Sequence, residues 1–412
     1  MEGGAVGPTS GVRSITTPHG RTLTAPGDRP PGTWRYSSHV ALVLSGGGAH
    51  AAYQVGVLAG LAERLPGLEF PILTGVSAGA INTSYLAAQL GPFPDAVELL
   101  RSEWTRLTAD RIYRIRPAHL AGSAMRLVWH GVIGRGHGEP TLRGLVDTQP
   151  LREFLGKSVD LRGIDFNIAA GRLRAVALSA TSYTTARSVT FVHAADEVPV
   201  WERAQRVAVR DRLTIEHVMA SAALPIIFPA VRVGDEFYGD GSVSHLAPLA
   251  PALHLGARAI VAIGPPRIGA GAREPANRAY PSVAEVIGLL FRAVFLDTLE
   301  ADAERLERVN RTLAAFPPGQ PAPDGLRPVE LLMIRPSREL GNLASGQDVL
   351  LPPLIRFVIR AIGGQRAAAS EFLGHFLFHP TYTSRLVELG YADVAAQWPA
   401  IERFFEKLQR AE

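Results

Sequence analysis

Hydrophobic positions in this chain fall into short unbroken runs, separated by glycine turns and by stretches of helical spacing. Val40-Ala41-Leu42-Val43-Leu44 has no polar member, the pattern of a parallel strand buried on both faces. It ends in Ser45-Gly46-Gly47-Gly48. Val55, Leu58, Ala59, Ala62 and Leu65 then recur at helical spacing until Pro66-Gly67 stops the helix. A second run, Phe70-Pro71-Ile72-Leu73, passes through Thr74-Gly75-Val76-Ser77-Ala78-Gly79-Ala80 into a helical stretch over 81–88. Helices are also predicted over 95–106, over 151–155 and over 214–223, the last with Ile215, Val218, Met219 and Ala222 inward. Strands are predicted over 173–181 and 188–193. A hairpin is expected around Gly234-Asp235, a further parallel strand over 259–264, and an added edge strand over 330–336.

A chain of 412 residues holds one large α/β domain with extensions, or two domains. Residues 1–37 carry many Gly and Pro and almost no large apolar residues, so a disordered tail is expected there. That stretch has no apolar core of the kind a secretory leader needs, and no run of 18 apolar residues follows. The expected location is cytoplasmic, with peripheral contact at a membrane surface left open. Cysteine is absent, which excludes disulfides, thiolate nucleophiles and cysteine-bound metals. Lysine occurs only at Lys157 and Lys407, so the positive charge is almost all arginine. No basic run interleaves with aromatics, and nucleic acid is not an expected partner. His119, His130 and His137 lack ligand spacing with carboxylates, so neither a metal nor a cofactor is expected.

Gly75-Val76-Ser77-Ala78-Gly79 lies between a strand and a helix. There a tight turn needs small residues on both sides and pushes the serine hydroxyl out at the strand's end. The helix that follows points its positive end at that hydroxyl. Two readings compete for the earlier glycine loop. Gly46, Gly48 and Ala51 satisfy the dinucleotide fingerprint, yet no acidic residue ends the second strand, since Glu69 precedes it. The favoured reading is an oxyanion hole built from the amides of Gly46, Gly47 and Gly48. A serine nucleophile also needs a base. Asp240, in Tyr238-Gly239-Asp240-Gly241-Ser242, is a candidate, although an aspartate between glycines is usually only a turn. His245 and His254 would complete a Ser…Asp…His order. His245 follows Asp240 too closely for that role, and His254 sits in a predicted helix over 247–255.

The set Gly46-Gly47-Gly48, Gly75-Val76-Ser77-Ala78-Gly79, Ala220-Ser221-Ala222-Ala223-Leu224-Pro225 and Asp240-Gly241 resembles the patatin-like phospholipase family over residues 38–265. The resemblance implies a mainly parallel sheet with helices on both faces in three layers. It also implies a dyad of Ser77 as nucleophile and Asp240 as base, an oxyanion hole at Gly46–Gly48, and lipid or phospholipid acyl esters as substrate. Two departures stand out. In the family a basic residue commonly follows the glycine loop, where this chain has His50, which would make extra positive charge near the oxyanion pH-dependent. Ser242 replaces the usual third small residue of the aspartate motif.

The expected organisation is a tail (1–37), a hydrolase domain (38–265) and a helical C-terminal extension packed on it (266–412). Within the extension, Ser282 and Glu285 form a capping box for a helix reaching about Asn310. An apolar stretch over 349–362, with Arg356 and Arg360 four apart, fits burial against the domain better than a membrane interface. Phe372, Phe376, Phe378 and Tyr382 fit either core or an acyl groove. The function expected is a serine esterase on lipid acyl esters. The alternative is a silent lipid- or partner-binding protein that keeps the elbow as scaffold.

Overall fold

A computed structural model of the protein describes residues 39–115, 144–244, 246–264, 297–317, 325–344 and 374–410, with positions 286 and 322 and two strands near the N-terminus. Those strands, β1 (Ser14–Thr16) and β2 (Thr22–Thr24), pair antiparallel, so the N-terminal tail holds a small ladder. The rest of the tail, the Ser282–Glu285 capping box, the 349–362 stretch, His119, His130, His137, His245 and Phe372 lie outside the described residues.

Val40–Leu44 (β3) is wholly buried because successive side chains enter two separate cores. Val40, Leu42 and Leu44 pack into one core, while Ala41 and Val43 pack into the other. Around it the sheet adds β4 (Ile72–Val76), β5 (Ala175–Ser182), β6 (Ser188–Ala194), β7 (Glu202–Arg203) and β8 (Arg206–Arg210), then β9 (Val231–Val233), β10 (Glu236–Asp240), β11 (Ala259–Ile263) and β12 (Glu330–Ile334). The strand order is β12-β11-β3-β4-β5-β6-β8-β7, parallel from β12 through β5, with β6 antiparallel to β5. The β9–β10 hairpin attaches to the far end of β5. Strands β7 and β8 escape the hydrophobic pattern because they are short, arginine-rich and mostly exposed at the sheet's edge.

Helices α1 (Ala52–Arg64), α2 (Ala78–Ala88), α3 (Phe93–Thr105), α4 (Gln149–Ser158), α5 (Arg162–Ala169) and α6 (Ile215–Ser221) contribute to the first core. The face with Ala41 and Val43 is covered by α7 (Ala250–His254) and α8 (Asp297–Ala314). This is an α/β fold with a mixed, mostly parallel sheet between helical layers. Chain beyond 265 joins the same architecture: β12 extends the sheet, while α9 (Leu340–Ala344) and α10 (Pro380–Arg410) pack into the first core.

Helix α10 lies directly on α1. A Cβ at Gly56 would stand 2.0 Å from the Val387 carbonyl oxygen, and one at Gly390 would stand 2.2 Å from that of Tyr53. Backbone approach this close requires glycine. The contact is sealed by Asp393, whose Oδ2 accepts from Tyr53 Oη at 3.0 Å and from Ser337 N at 2.9 Å. Among the described residues no helix is long and apolar enough to cross a membrane.

Candidate active site

Leaving β4, the chain turns at Ser77 with φ 56 and ψ −130, a conformation rare for a non-glycine residue. Both flanking glycines are steric requirements of that turn. A Cβ at Gly75 would lie 2.4 Å from Thr83 Oγ1, and one at Gly79 would lie 2.3 Å from the Leu44 carbonyl oxygen. A partner from elsewhere holds the turn. Ser221 Oγ accepts the Ser77 N–H at 3.1 Å and donates to the Ser179 carbonyl at 2.6 Å. Sequence reasoning overlooked this role, although Ser221 lies in a motif already singled out.

The sheet register brings Asp240 to the same place. Val76 pairs with Ser179 at the end of β4, and the next residue of β5, Ala180, pairs with Asp240 of β10. Strand β10 thus takes over the edge of β5 where β4 leaves it, and Ser77 and Asp240 become neighbours. Gly241 allows the close approach, since a Cβ there would lie 2.1 Å from the Ser179 carbonyl oxygen. Asp240 is wholly buried. Its N–H donates to Ala223 O at 2.8 Å, its carbonyl accepts from Thr181 Oγ1 at 2.8 Å, and Oδ1 accepts from Ser242 N at 2.9 Å. Oδ2 makes no hydrogen bond among the described residues, yet the nearby Ser77 hydroxyl still pulls the carboxyl down. Burial pushes the carboxyl up from 3.8 to about 6, against the smaller pull of Ser77 and Ser242. His254 sits elsewhere. It stacks on Trp201 at 4.7 Å, and burial with Arg203 and Arg206 holds it down to about 4.

The glycine loop runs from β3 into a single 3₁₀ turn, Gly48–Ala51. Gly47 (φ 153) and Gly48 (φ 55) adopt conformations that favour glycine, and their N–H groups have no hydrogen-bond partner among the described residues. A relay of side chains fixes the loop's start. Trp104 Nε1 donates to Asn82 Oδ1 (2.7 Å), Asn82 Nδ2 to Gln54 Oε1 (2.9 Å), and Gln54 Nε2 to Ser45 O (2.7 Å). His50 corrects an expectation. It is buried against His375, with ring centroids 4.3 Å apart, and burial, then His375, hold it well below its ordinary value. At neutral pH it is an uncharged packing group.

Ser77 and Gly48 line a narrow cavity of about 70 Å³ that opens to solvent. Its walls are almost entirely apolar: Leu100, Trp104, Phe154, Leu155, Phe228 and Phe378 among them. This lining suits a hydrophobic ligand. Phe228 reaches it from a loop in which Ile226 is 66% exposed and carries φ 71, while the Ile226 and Ile227 carbonyls accept from Leu145 N.

A search of solved structures returns three that illustrate the range. VipD from Legionella pneumophila is 13% identical with a TM-score of 0.31, covering 91% of this chain and 70% of that one. The human GIVD cytosolic phospholipase A2, in complex with methyl gamma-linolenyl fluorophosphonate and terbium chloride, is 13% identical with a TM-score of 0.45, covering 90% of this chain. The type III effector ExoU of Pseudomonas aeruginosa is 12% identical with a TM-score of 0.28, covering 86% of this chain. The chain spans 60% of the human protein's length and 55% of ExoU's. No curated protein matches by sequence. The family model described as patatin-like phospholipase matches residues 42–253, just over half of the chain and the stretch that carries both Ser77 and Asp240. By that match, the chain belongs to the patatin-like phospholipase family.

Proposed function

We propose that the protein is a serine acyl hydrolase that cleaves lipid acyl esters through Ser77 and Asp240, with residues 38–265 as its catalytic region. The observation that carries this reading is the shared register on β5. It brings a strained serine, which lines an apolar cavity, next to an aspartate buried outside the cavity wall. Family membership supports lipid ester hydrolysis in general.

In this reaction Ser77 Oγ attacks the acyl carbonyl carbon while its proton passes to Asp240. The carbonyl oxygen becomes an oxyanion held by the amides of Gly47 and Gly48, with the N-terminus of α2 adding positive potential. Collapse expels the alcohol, which takes the proton from Asp240. Water, deprotonated by the same carboxylate, then releases the fatty acid and restores the serine. No imidazole takes part. A pKa near 6 makes Asp240 a better base than an ordinary aspartate, while it stays ionised at neutral pH. Transient contact with the membrane surface that holds the lipid belongs to the same proposal.

The test is a fluorophosphonate probe on wild type and Ser77→Ala, followed by a panel of phospholipid and neutral-lipid substrates. Labelling and hydrolysis in wild type, both absent from a folded Ser77→Ala, are expected. An unlabelled wild type that still binds lipid would favour the silent scaffold. The pH profile should show an acid limb. Hydrolysis requires ionised Asp240, so kcat/KM should fall as pH drops through about 6. A rate that stays flat down to pH 4.5 would exclude Asp240 as the base.

A further inference from the structure

Residues 374–378 lie far outside the matched stretch 42–253, yet they complete the cavity. A Cβ on Gly48 would stand 2.3 Å from the His375 carbonyl oxygen, so the segment's backbone touches the glycine loop. On its other side, Tyr113 Oη donates to the Phe376 carbonyl at 3.3 Å. Phe378 stacks on Trp104, with centroids 6.5 Å apart at 28°, and meets Tyr113 edge-on at 6.4 Å. Its partner is rigid, because the Trp104 indole N–H is tied to Asn82. The next helix, α10, is locked backbone-to-backbone on α1, so this wall cannot swing away without unpacking the core.

We infer that Phe378 is a specificity-determining residue whose ring limits the length of acyl chain the cavity takes. This rests on the reading of Ser77 as the acylated serine. A ring clamped between two aromatics is a fixed boundary. On this inference, an acyl chain long enough to reach the ring is stopped by it, and removing the ring enlarges the space open to the chain. Discrimination by one or a few methylenes in such a pocket is worth about tenfold or more.

The test is a p-nitrophenyl ester series from short to long acyl chains on wild type, Phe378→Leu and Phe378→Ala. The ratio of kcat/KM for long over short chains should rise about tenfold in Phe378→Ala, with Phe378→Leu between. An unchanged ratio in a folded Phe378→Ala overturns the inference. A second measurement covers poor folding of the alanine variant. The chain contains no cysteine, so Phe378→Cys introduces a single thiol. Long-chain alkyl fluorophosphonates on Ser77 should shield that thiol from maleimide, and short ones should not. Equal reactivity at every chain length also overturns it. Failure of Ser77 to react with any phosphonate in wild type would instead remove the serine hydrolase reading beneath it.

Discussion

Asp240→Asn is expected to yield a folded protein that is almost inactive and more heat-resistant than wild type. The activity loss follows from removing the proposed proton acceptor beside Ser77, and a general base typically contributes about 10²–10⁴ in rate. The stability gain follows from burial. Folding raises the carboxyl from 3.8 to about 6, so the native state holds the proton more tightly than the unfolded chain does. The favourable contribution of this group is complete below the unfolded value and lost as pH rises through the folded one. Above that, keeping the carboxylate buried and charged costs roughly 3 kcal/mol. Asparagine removes the charge and can still accept from Ser242 N, so the cost disappears. Thermal unfolding of the variant and wild type at pH 8 and pH 4, alongside kcat/KM at pH 8, gives the readout. The stability difference should be large at pH 8 and shrink towards pH 4. Substantial hydrolysis by a folded Asp240→Asn would remove the dyad, and a lower melting temperature at pH 8 would contradict the burial argument.

The second large effect concerns the C-terminal helix. Gly56→Ala places a methyl 2.0 Å from the Val387 carbonyl oxygen, which no rotamer relieves because both partners are backbone. Helix α10 must lift from α1, weakening the Tyr53–Asp393 bond and exposing Tyr382, Leu386 and Val394, all now fully buried. Overpacking usually costs about 1–3 kcal/mol, and this site belongs at or above the upper end. Gly156→Ala in α4 is the matched control. Nothing lies within 4 Å of its Cβ position, and alanine should stabilise that helix by about 0.5–1 kcal/mol. Opposite shifts in melting temperature are expected, with early protease cleavage near residues 374–410 only in Gly56→Ala. A Gly56→Ala protein as stable as wild type would refute the close packing of α1 and α10.

The division between sequence and tertiary structure follows from the range of the interactions involved. Buried parallel strands announce themselves because both faces are apolar, so β3, β4 and β11 were legible. The elbow at Ser77 was legible too, since its glycines sit next to it in the chain and answer to local sterics. The edge strands β7 and β8 left no such mark. Asp240 was readable as a candidate from its glycine neighbours, but its contact with Ser77 depends on β10 replacing β4 along β5, a pairing between distant segments. His50 shows the same limit from the other side. Its identity suggested a titrating cation, and burial against His375, more than three hundred positions away, keeps it neutral. The wall at Phe376 and Phe378 was equally compatible with core or groove until α10 fixed where it lies. Local chemistry named the candidate nucleophile and base, and long-range packing alone decided their environment and the shape of the cavity they face.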